Sequence, residues 1–149
     1  MKKAHFLLAA LLLAPLALFA QPKRDRPDTP IEKDMHKMGK AYRQLRKQAS
    51  DPSMNASSLE LVATIRAGAE DARTHTPLRA ADIPEQDRAA FVAKYRQKMG
   101  DFIGVVDQLA ASLKAGRNDE AVHLVERLAD LQKEDHKQFR KPKKHRSLF

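Results

Sequence analysis

Seven apolar residues, Val92, Tyr95, Met99, Phe102, Val106, Leu109 and Leu113, recur at strictly alternating steps of three and four. A seam of that period lies along one side of a long helix and is buried best by helices running nearly parallel or antiparallel to it. The rest of the chain supplies them. Thr29, Pro30 and Glu32 fit the N-cap, first and third positions of a capping box. Ile31, Met35, Met38, Tyr42, Leu45 and Ala49 then continue at helical steps. Pro52 in "SDPS" forbids a smooth continuation. A further pattern runs from about Asn55 to His75, with Leu61, Val62, Ile65, Ala69 and Ala72 facing inward. Asp82 to Glu85 offers a cap for the long third helix. Gly116 is its expected C′ residue, and Asn118 is the expected N-cap of a fourth helix carrying Leu124, Val125, Leu128, Leu131 and Phe139.

Strand signals are weak. Aromatic residues make up only 5% of the chain, and period-two alternation is rare. Four amphipathic helices joined by short connections predict an all-α, antiparallel up-down-up-down four-helix bundle over residues 30–141.

The flanks read differently. "MKKAHFLLAALLLAPLALFAQP" has a basic start, an apolar stretch and a small residue at Ala20, the layout of a secretory signal peptide over residues 1–20. Residues 21–29 form a polar lead-in and 142–149 a basic tail. The mature chain is therefore expected to be exported. The formal net charge is +9, falling to about +7 once Lys2 and Lys3 are removed. Such a surface suits an acidic partner or anionic lipid headgroups. Aromatics do not interleave the basic runs, which argues against nucleic acid. The chain contains no cysteine. Thiolate zinc sites, Fe–S clusters, cysteine nucleophiles and the C-x-x-C-H attachment of a c-type haem are all excluded. Nucleotide-binding and hydrolase motifs are absent too.

In an antiparallel bundle the start of the first helix lies level with the end of the last. Met35 sits about five residues inside the former, roughly 8 Å along its axis, and His136 is about as far from the end of the latter. A thioether and an imidazole facing each other across an apolar slot are the axial pair of a Met/His b-type haem. Each residue also has a plainer explanation. A methionine on a helix stripe is ordinarily core filler, and a histidine near a helix C-terminus ordinarily complements the dipole. Spacing alone leaves both explanations open.

Several stretches narrow the choice. "IEKDMHKMGKAYRQL", "IRAGAEDARTHTP", "GVVDQLAASLKAGRNDEA" and "DHKQFR" resemble, in order, the first helix, the second helix, the turn between the third and fourth, and the final segment of the soluble periplasmic cytochrome b562 family. The resemblance spans roughly Ile31 to Arg140. It implies non-covalent haem b, with Met35 and His136 as iron ligands and Arg140 four residues after the histidine. Tyr95 and Met99, with Ile65 and Ala69, are then candidates for the haem wall. Lys33, Lys137 and Arg140 are candidates to meet propionates or steer partners. Gln132 departs from the pattern, standing where a basic residue occurs near the haem in the family. The function implied is one-electron transport by a monomeric carrier, not an enzyme. The alternative is a haem-free bundle acting as a periplasmic binding or stress-response module.

Overall fold

The computed structural model describes residues 27–141; the expected signal peptide, most of the lead-in and the basic tail lie outside them. Four α-helices appear among the described residues: α1 (Pro30–Gln48), α2 (Asn55–Thr74), α3 (Glu85–Lys114) and α4 (Asn118–Phe139). They form an antiparallel four-helix bundle, as the periodicity predicts. Short 3-10 turns, Pro52–Met54 and Leu78–Asp82, join α1 to α2 and α2 to α3. No described helix is long and apolar enough to cross a membrane.

The helix ends show local chemistry fixing the frame. At α1 the Thr29 amide donates to the Glu32 carboxylate at 3.0 Å, and the Glu32 amide donates back to the Thr29 hydroxyl at 3.4 Å. This is the predicted capping box. Gly116 takes φ +69° after α3. Its amide reaches Leu113 O at 3.1 Å, and the Arg117 amide reaches Ser112 O at 2.9 Å, which is a Schellman closure.

Two expected caps are not made. α4 begins at Asn118 itself, and its side-chain Nδ2 donates instead to Ala49 O and to Asn55 Oδ1, both at 2.8 Å. Asn55 in turn donates to Leu113 O at 3.2 Å. Those groups are buried where the helix ends of this pole meet, so tying them together outweighs capping one helix. Asp82 lies three residues before Glu85, the first residue of α3, and pairs with Lys141 at 3.1 Å.

Between these poles the core divides in two. Leu45, Val62, Ile65, Val106, Leu109 and Leu128 anchor the half tied by Asn55 and Asn118. Met38, Ala69, Ala72, Tyr95, Met99 and Phe139 form the other half. α1–α2, α2–α3 and α3–α4 lie close along their lengths, whereas the α1 and α4 backbones approach one another much less. That missing contact opens a cleft.

Candidate functional site

The cleft has walls from three helices. α1 contributes Met35, Met38 and Tyr42; α3 contributes Tyr95, Lys98, Met99 and Phe102; α4 contributes Leu128, Gln132, Asp135, His136 and Phe139. It encloses about 640 Å³, counting its open mouth. Its lining is overwhelmingly apolar, with polar groups confined to a few side chains.

Met35 and His136 thus enter one cleft from opposite helices, both half-buried. Burial lowers the His136 pKa below the ordinary imidazole value, and the Arg140 charge adds to the effect. The ring is therefore neutral at pH 7, with a lone pair free to accept or ligate. Phe139, one turn further along α4, meets Tyr95 edge-on at 5.4 Å and Phe91 at 5.2 Å. This aromatic cluster supports the last turn of α4 beneath His136.

The floor is braced by hydrogen bonds. The Tyr95 hydroxyl donates to Ala72 O at 2.8 Å, and burial pushes its pKa far above the usual phenol value. The Tyr42 hydroxyl donates to Val125 O at 3.0 Å and bridges α1 to α4 where their backbones part. At the mouth, burial raises the Asp135 carboxyl, while the Lys98 charge pulls the other way.

The loop before α3 holds the end of α4 that carries His136. Arg79 Nη1 donates to Lys137 O at 2.8 Å and to Gln138 O at 2.7 Å. These carbonyls belong to the last turn of α4, where intrahelical partners run out. The Asp82–Lys141 pair reinforces the same junction.

Of the other expected wall residues, Tyr95 and Met99 line the cleft, but Ile65 and Ala69 do not. Ile65 is 1% exposed in the opposite core half, and Ala69 is fully buried behind the wall. Gly68 supplies the reason. A Cβ at Gly68 would stand 2.6 Å from Met38 Cγ, so Met38 lies directly over α2 and screens it from the cleft. Arg140 is the exposed C-cap residue of α4 and also lies off the wall, although its charge reaches His136. Lys33 and Lys137 are exposed.

Sequence reasoning passed over Met38, Tyr42, Lys98, Phe102, Leu128, Asp135 and Phe139 as site residues. Most sit three, four or seven positions from a residue it did name, so extending those helical faces would have found them. A Cβ at Gly104 would meet nothing within 4 Å. The glycine of close approach is Gly68. Among the described residues the other histidines face carboxylates: His36 lies 3.1 Å from Asp28, His75 3.6 Å from Asp34, and His123 3.7 Å from Glu126.

No curated protein matches the chain. The family model described as cytochrome b562 matches residues 30–140, nearly all of the described domain. The family comprises b-type haem-binding four-helix cytochromes, which are electron carriers. A bundle with this connectivity, opened between its first and last helices, agrees with that match: the chain belongs to the cytochrome b562 family.

Proposed function

We propose that this protein is an exported, periplasmic b-type cytochrome that carries single electrons, with Met35 and His136 as the axial pair of a non-covalently held haem. The observation that carries the reading is the shared cleft: a thioether from α1 and a neutral imidazole from α4 line one apolar slot. The donor set fits the group. One soft and one imidazole ligand suit haem iron, and the absence of cysteine leaves no thiol for covalent attachment. When bound, haem ligated by methionine and histidine supplies one-electron Fe(III)/Fe(II) cycling, with the thioether favouring the ferrous state.

The chain's own residues then have separable tasks. Met38, Met99, Phe102 and Leu128 exclude water from the cleft. Tyr95 and Phe139 hold the α3 and α4 walls together. Arg79 fixes the helix end that presents His136. Arg140, exposed beside that end, and Lys98 at the mouth are placed to meet acidic groups of a ligand or partner. If Met35 and His136 both held the haem iron, the protein would leave it no open position for a substrate, which suits a carrier and not an enzyme. A net charge of about +7 after leader removal suits docking to an acidic redox partner or an anionic membrane surface, with the protein itself a monomer.

The test is potentiometric titration of the protein recovered from the periplasmic fraction after expression with its leader. A single one-electron transition tracked by the haem bands is expected. Protein retained in the cytoplasm would overturn the location, and haem that does not cycle reversibly would overturn the carrier role.

A further inference from the structure

Three of the chain's five methionines, Met35, Met38 and Met99, line the one cleft that also takes His136. We propose that this cleft is also a Cu(I) site, in which these thioethers and the His136 imidazole are the ligands.

The donor chemistry selects the ion. Thioethers are soft and select Cu(I), whereas zinc sites use thiolate, imidazole and carboxylate. All four donors are neutral, so a bound ion keeps its full charge in an apolar slot. A single charge is far less costly to bury there than a double one. Among the described residues no cluster of histidine and carboxylate side chains could hold a metal ion, so a hard cation has no competing site there.

The arrangement also favours convergence. Met35 and Met38 are three residues apart on α1 and share a face. Met99 comes across from α3, and the three pack into a single core cluster. Met38 lies against Gly68 of α2, where a Cβ would stand 3.4 Å from its sulfur, and it also lines the cleft, so it sits between the two. Methionine's unbranched chain allows small adjustments onto a metal without moving helices. By contrast, Met54 is exposed in the 3-10 turn at the opposite pole.

The experiment is an anaerobic titration of the haem-free full chain against Cu(I) held by bicinchoninate. Removal of one equivalent of copper from the chelator is expected, with sulfur scatterers around copper in the X-ray absorption spectrum. Met38→Leu and Met99→Leu nearly conserve volume. Each is expected to weaken binding about tenfold or more, since even residues behind a ligand commonly cost that much. Met54→Leu should bind as the unaltered chain does. A chain that takes no copper from the chelator would overturn the site. So would Met38→Leu and Met99→Leu proteins of unaltered affinity, or a copper spectrum without sulfur. The absorption spectrum of the unaltered chain keeps the test decisive even where a variant folds poorly. Copper and haem share Met35 and His136, so Cu(I)-loaded protein should refuse haemin. The two readings fail separately: uptake of haemin without Cu(I) overturns only the copper site, and uptake of Cu(I) without haemin overturns only the haem reading.

Discussion

Replacing Arg79 with alanine removes a brace on α4 without touching the cleft. One guanidinium nitrogen satisfies the carbonyls of Lys137 and Gln138, at 2.8 and 2.7 Å, just beyond His136. Net values of ~0.5–1.5 kcal/mol per hydrogen bond, taken low because water reaches this junction, give about 1–2 kcal/mol. Loss of a cation near the helix C-terminus works in the same direction. For a domain of this size that is a fall of roughly 4–9 °C in melting temperature. The damage should be local as well as global. If the last turn of α4 must reorder before it can present His136, the ligand-competent fraction falls and apparent haem affinity falls with it. A cost of that size confined to the last turn corresponds to about 5–30-fold in affinity. Thermal unfolding of the apo-protein and haem titration read the two effects, and Arg79→Lys should recover part of both because it keeps charge and donors. An Arg79→Ala protein with unchanged melting temperature and haem affinity would refute the brace.

Gly68→Ala should destabilise the bundle by about 1–3 kcal/mol in urea unfolding, because the new Cβ would stand 2.6 Å from Met38 Cγ; combining it with Met38→Ala should be clearly non-additive, and additive costs would mean the two side chains do not collide. Tyr95→Phe should cost only about 0.5–1 kcal/mol, since Ala72 O also accepts the His75 amide at 3.1 Å and stays partnered; a cost several times larger in the same assay would assign the hydroxyl a further role. Burial and Arg140 lower the folded-state pKa of His136, so the unfolded apo-chain binds the proton more readily. Apo-protein stability should therefore be full above the ordinary imidazole pKa of about 6.5 and decline as pH falls below it towards the lowered folded value. His136→Ala should flatten that part of the stability profile, and an unchanged slope would place the titration elsewhere.

The bundle was legible because its information is local and periodic. The stripe from Val92 to Leu113, the Thr29–Glu32 box and the Gly116 turn each act within a few residues, and each appears as read. Asn118 misled because its side-chain amide serves groups 63 and 69 residues away, which no local rule weighs. Met35 and His136 could be placed at one height by counting residues from helix ends, since antiparallel helices share an axis scale. Which α2 residues reach the cleft could not be counted in that way. Ile65 and Ala69 are withdrawn from it because Gly68 lets Met38 lie across α2, a consequence of one missing Cβ. Arg79 was equally invisible: its partners are backbone carbonyls 58 and 59 residues away, which carry no side-chain signature.

The most direct test of the central claim is the absorption spectrum of haem-reconstituted protein, oxidised and reduced, beside Met35→Ala and His136→Ala. Two protein ligands in one cleft predict sharp low-spin reduced bands for the unaltered chain and conversion to high-spin spectra, or loss of haem, in each variant. A colourless protein that ignores added haem would contradict the account, and so would variants that keep the low-spin spectrum unchanged.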